Sequence, residues 1–157
     1  AGKYFQDKGI AFDAAYSSTQ ERACDTLEIV TDNKMKYERL KGLKEWNFGL
    51  FEGESEDLNP KHPNERTYGD FFVNFGGESN KDVEKRMHET LTQIMEKDGN
   101  NTVLAVSHDG ACYTFFLKHA PDVPFTGLPN CAIFKYEYEN GKFTFIELIK
   151  HDFTKEI

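Results

Sequence analysis

Thr102–Ser107 reads Thr-Val-Leu-Ala-Val-Ser, a compact apolar run followed at once by His108-Asp109-Gly110. Helical patterns lie on either side of it. A short apolar run between helices is the pattern of a strand covered on both faces of a parallel sheet, and this places the chain among α/β folds. The 157 residues suit one domain, expected here over 1–157, with 14 Phe and 7 Tyr to fill its core. No apolar run reaches the roughly 18 residues that cross a bilayer, so no membrane partner is expected.

The rest of the chain agrees with alternating strands and helices. Residues 3–8 read as the last turns of a helix stopped at Gly9, and 11–16 as a strand. Ser18 with Glu21 forms a capping-box pattern for a helix whose face carries Ala23, Leu27 and Val30. A short strand is expected near Lys41–Lys44, an exposed loop over 53–66, and a short helix over 67–75. Ser79 with Asp82 opens the clearest helix, running to about Lys97 with Val83, Met87, Leu91 and Ile94 at core spacing. Gly110–Ala120 is a further helix ended before Pro121, and 131–138 and 142–149 alternate around Asn140-Gly141, a hairpin signal. The expected architecture is a three-layer α/β sandwich: a mostly parallel sheet, helices on both faces, and an edge hairpin at the C-terminal end.

Charge and cysteine content narrow the function classes. A formal charge of −8 argues against general nucleic-acid binding, although a phosphate ligand needs only local cations. Cys24, Cys112 and Cys131 are sparse and odd in number, which reads as reduced thiols in a cytoplasmic protein. His62, His88, His108, His119 and His151 show no metal-ligand spacing, so neither a metal nor another cofactor is expected.

In such sheets ligands gather where strands run into helix N-termini. At Tyr16–Arg22 a strand end leads into a helix whose first turn holds Arg22, where free N–H groups, the helix dipole and a guanidinium fork suit a phosphate. The alternative is a solvated Arg22, or one paired with Glu21 or Asp25. At Val106–Gly110 a strand ends in His108 beside backbone N–H groups, where imidazole can move a proton near neutral pH or simply be a satisfied structural histidine. Leu43–Gly53 holds Glu45 and Glu52 among aromatic residues and the only Trp; apolar neighbours raise a carboxyl pKa, whereas a solvent-facing turn would not.

In order, these segments resemble the histidine phosphatase (phosphoglycerate mutase-like) superfamily. The matching stretches are Tyr16-Ser17-Ser18-x-x-x-Arg22-Ala23-x-x-Thr26, then Leu43-x-Glu45-x-x-x-Gly49-x-x-Glu52-Gly53. Gly77-Glu78-Ser79 with Asp82, Val83 and Arg86 follows, then Val106–Gly110 and Asn130-Cys131. The resemblance implies that Arg22 clamps a substrate phosphate with Asp109 nearby, that His108 contacts the transferring phosphoryl group, and that Glu45 protonates the leaving oxygen. Arginine and imidazolium would take the place of magnesium. It implies a phosphomonoester phosphatase acting through phosphohistidine on a small phosphorylated metabolite, with a mutase or a non-catalytic phosphate-binding module as the alternatives. The Glu45-to-His108 separation, shorter than in cofactor-dependent mutases, favours phosphatase.

One departure matters. The family's Arg-His-Gly block, whose histidine is the nucleophile, is nowhere in this sequence, and none of the five histidines follows an arginine. Residues 1–9 resemble the end of the helix that comes after that block. The expectation is therefore that the first strand and the nucleophile are missing from this chain, which alone would be inactive. A homodimer is the expected assembly if any forms, with the hairpin edge blunted by Lys135, Lys142 and Lys150.

Overall fold

The structure is a computed structural model that describes residues 1–61 and 66–151. Helix α1 spans Gly2–Asp7 and is followed by strand β1, Ala14–Ser18. Helix α2 covers Glu21–Val30 and the short strand β2 Glu38–Leu40. Four 3₁₀ turns come next, at Lys41–Leu43, Gly49–Phe51, Glu56–Leu58 and Phe71–Phe75. Helix α3 (Asn80–Met95), strand β3 (Val103–Val106), helix α4 (Asp109–His119) and the β4–β5 hairpin (Ile133–Glu139, Lys142–Ile149) complete the order. This is the expected α/β class. The four residues 62–65, part of the expected 53–66 loop and including His62, lie outside the described residues.

The three sheet strands run in the order β2-β1-β3, all parallel, with Tyr16 opposite both Glu38 and Ala105. The hairpin forms a two-stranded sheet of its own rather than continuing the parallel one. Its Asn140-Gly141 turn has both residues at positive φ, 48° and 79°, the backbone a tight hairpin requires.

Period-2 alternation on β1 separates two packed layers. Tyr16 joins the principal core with Leu43, Trp46, Phe72, Val83, Met87, Ile94, Ala111, Phe115 and Phe143. Ala23, Cys24 and Leu27 of α2 are buried outside that cluster. Helix α3 packs as its spacing predicts: Val83, Met87 and Ile94 are buried, and Ser79 and Asp82 make both halves of a capping box.

Several expectations need correction. Strand β1 lies at 14–18 rather than 11–16, so Ser18 ends a strand instead of capping a helix. Gln20 is the N-cap of α2, and the Ser18 hydroxyl accepts from the Gln20 N–H at 3.1 Å. The strand near 41–44 is a 3₁₀ turn, with β2 just before it. Only a 3₁₀ turn, 71–75, forms within 67–75, because its rings gather around Phe72 and Gly76 reverses the chain at φ 79°. Finally, β3 is not covered on both faces. Ala105 is exposed and its neighbours are half-buried, since among the described residues β3 pairs with β1 alone and stands at the sheet edge.

Candidate active site

Two strand ends and one irregular segment converge. Strand β1 ends at Ser18, which is fully buried, and α2 starts three residues later. The first N–H groups of α2, those of Glu21 and Arg22, meet no acceptor among the described residues, and Gln20 supplies no side-chain cap. Arg22 itself is exposed, and its guanidinium forms no hydrogen bond or ion pair among the described residues. Of the two sequence alternatives, pairing with Glu21 or Asp25 is not what forms. A free guanidinium at an uncapped helix N-terminus is a ready anion site.

Beside it stands His108, the N-cap of α4 and only 8% exposed. Its Nε2 lies 2.8 Å from the Ser18 hydroxyl. Burial, and then the positive charges of Arg22 and Arg86, lower its pKa to about 4. The ring is therefore neutral near pH 7, whereas the resemblance implied an imidazolium facing the bound phosphoryl group. A bound dianion would oppose the two guanidiniums and favour the proton's return.

Glu45 reaches the same place from the other side. Its Oε1 accepts from Trp46 N at 2.8 Å and Ala111 N at 3.0 Å, and its Oε2 from Gly110 N at 3.2 Å. The purely apolar setting read from the sequence is thus replaced by a polar one. The N–H groups expected to be available beside His108 are already occupied at Gly110 and Ala111. Gly110 is required by this approach, because a Cβ there would sit 2.8 Å from Glu45 Oε1.

Gln20 links the two halves. Its side-chain Oε1 accepts from Glu45 N at 2.8 Å, while its own N–H is held by Ser18. Sequence reasoning missed it, since a glutamine before a helix carries no signal of a partner 25 positions away. Asp109 opens α4 and is exposed as a residue; partial desolvation, and then Glu56, raise its carboxyl pKa. Glu52 accepts from Phe48 N at 2.9 Å and serves its own turn. Gly49 in that turn is at φ 58°, with Phe75 O 2.0 Å from where a Cβ would be, so only glycine fits.

The loops around 53–75 and 120–130 meet at an open depression of about 490 Å³ lined by Arg66, Tyr113 and residues 121–125. There Arg66 donates to Pro121 O and, at 3.3 Å, to Val123 O. No group of three or more potential metal ligands occurs among the described residues, and no helix among them is long and apolar enough to cross a membrane. The three cysteines are free thiols.

Comparison with known proteins gives a consistent picture. The family model of the histidine phosphatase superfamily (branch 1) matches residues 1–150. The chain is 28% identical over 153 residues to the protein named "Probable 6-phosphofructo-2-kinase" of Schizosaccharomyces pombe, covering 82% of this chain and 26% of that one. It thus spans about a quarter of that relative. A phosphoglycerate mutase from Bacillus anthracis superposes with a TM-score of 0.80 at 26% identity, covering 92% of this chain and 74% of that one. A phosphoserine phosphatase from Entamoeba histolytica, solved with phosphoserine, shares the fold with a TM-score of 0.69 at 23% identity, covering 94% and 77%.

Proposed function

The chain belongs to the histidine phosphatase superfamily, a family of enzymes, and from that premise we propose that it carries the phosphate-binding and proton-donating part of a phosphomonoester phosphatase. One observation carries the reading: the unpaired Arg22 guanidinium beside buried, neutral His108, at a helix N-terminus whose first N–H groups are open. Together they fit the three non-bridging oxygens of a small phosphomonoester. The substrate's remainder would lie towards Asp109 and Glu56, where two carboxylates repel further phosphates.

The proposed chemistry is in-line transfer. A histidine nitrogen, from a segment not contained in these 157 residues, forms an N–P bond as the P–O bond to the alcohol breaks. Arg22 neutralises charge on the equatorial oxygens, and His108, oriented by Ser18, donates to one of them. Glu45 gives its proton to the departing oxygen. Water then attacks the phosphohistidine, restoring imidazole and releasing phosphate, with Glu45 taking up the water's proton. The chain alone is expected to bind phosphate without turning over substrate. A non-catalytic phosphate-binding module is the second reading, favoured by the absence of any Arg-His-Gly from the sequence.

The test pairs two measurements. Calorimetric titration of this chain with inorganic phosphate should show binding that Arg22→Ala weakens at least about tenfold, the scale of a lost charge-assisted contact. With p-nitrophenyl phosphate, the full-length protein should turn over, and Arg22→Ala or His108→Ala should cost roughly 10²–10³-fold. Near-native turnover in both variants would sink the enzymatic reading. Phosphate binding with no turnover in the full-length protein would select the module.

A further inference from the structure

Residues 44–48, which carry Glu45, belong to no helix or strand and lie between two 3₁₀ turns. A carboxylate on such a segment keeps its place only if something else holds the backbone. Helix α3 does so through Arg86. A guanidinium has five N–H donors, and Arg86 uses all five. Its Nε donates to Glu78 Oε1 at 2.7 Å and one Nη2 hydrogen to Glu78 Oε2 at 2.9 Å. The other three go to carbonyls at and just before the irregular segment: Nη1 to Gly42 O, in the preceding 3₁₀ turn, at 2.9 Å and to Lys44 O at 2.8 Å, and Nη2 to Glu45 O at 3.0 Å.

Glu78 grips the far side of the same segment. Its backbone carbonyl accepts from Trp46 Nε1 at 2.8 Å, its Oε2 from Asn47 N at 2.9 Å, and its own N–H donates to Asn47 O at 2.8 Å. The ion pair is mostly buried, with the two side chains 21% and 23% exposed. An ion pair needs two donors of the guanidinium. Two donors on the carbonyls either side of Glu45 Cα, and a third on Gly42 of the turn before it, give this pair a direction that a simple inter-element bridge lacks.

We propose that Arg86, locked by Glu78, is the positioning residue for Glu45: it sets where that carboxylate stands against Gly110 and Ala111 of α4, and so its distance from the phosphoryl site. The inference rests on the reading of Glu45 as proton donor. Lysine cannot substitute, because its three donors on one nitrogen cannot reach two carboxylate oxygens and three carbonyls at once.

The test uses this chain and reads geometry directly. In ¹H–¹⁵N NMR spectra recorded over a pH series, the Gly110 and Ala111 amides should report the protonation of the Glu45 carboxylate they donate to, and Glu45→Gln should abolish that dependence. In Arg86→Lys the pH-dependent shift of both amides should collapse towards that of Glu45→Gln, while resonances of α2 and of the hairpin stay in place. Should Arg86→Lys fail to fold, Glu78→Gln, of the same shape, should show the same loss in weaker form. A native titration at both amides in whichever variant folds overturns the proposal, as does a wild-type titration that Glu45→Gln leaves unchanged. Because no phosphate is added, failure of the phosphatase reading leaves this result intact. In protein that turns over, the same variant should lower kcat about tenfold or more with KM within a few-fold, as misplacing a reacting group does.

Discussion

His108 shows how one side chain can be read for chemistry and for stability together. Its imidazole titrates near 4 in the fold against about 6.5 in an unfolded chain. The unfolded state therefore takes up a proton first as pH falls, and stability is lost through the window from about 6.5 to about 4. Between about pH 7 and pH 5 the loss should approach 2 kcal/mol, before most carboxylates titrate. Urea unfolding of wild type and His108→Gln at those two values checks it: the variant should lose less by about that amount, and parallel behaviour would refute the neutral-histidine reading. Phosphate should raise the pKa of the same ring, visible in its C2 proton shift. The order of Arg22, Glu45 and His108 along the chain was legible; their environment was not. Glu45 looked apolar in sequence because its neighbours there are Trp46 and Phe48, whereas its partners Gly110 and Ala111 are 65 and 66 positions away.

At the scale of elements, the best-read pieces are those stabilised locally. Helix α3 has its capping box and its heptad-like core face within sixteen residues, and the hairpin has its Asn-Gly turn. Ser79→Ala removes an acceptor for Asp82 N and should cost about 1 kcal/mol, lowering Tm by about 2–4 °C. Scanning calorimetry would measure this, and an unchanged Tm would mean the cap contributes nothing. Ser18 was misread for a matching reason. Capping box and strand end share the same Ser-x-x-Glu pattern, and only the arrival of His108 at 2.8 Å makes the hydroxyl part of the site. The 71–75 turn likewise takes its shape from a ring cluster that includes Trp46, Phe48 and Phe51, twenty or more positions before it, together with the adjacent Tyr68.

Over the whole molecule, two sheets that share no hydrogen bonds among the described residues are joined by packing. Phe115 of α4 is 2% exposed and meets Tyr136 and Phe143 of the hairpin at 5.1 and 5.3 Å between ring centroids. Phe115→Ala should cost about 3–5 kcal/mol. Wild type should unfold in one transition by both tyrosine fluorescence and far-UV circular dichroism. If packing alone couples the layers, the variant should separate the two probes; coincident curves at unchanged midpoint would show that the hairpin is held by something else. What the sequence by itself determined are the α/β class and the order of the main elements, because short-range periodicity, caps and turn chemistry encode them, while the residues of the candidate site were picked out by motif order. The tertiary structure alone decided that His108 is neutral, that Glu45 is engaged at the start of α4, and that Arg86 binds the peptide carrying it. Protonation and aim depend on desolvation and on partners across 40 to 90 positions, and no local pattern records which groups the fold will bring together.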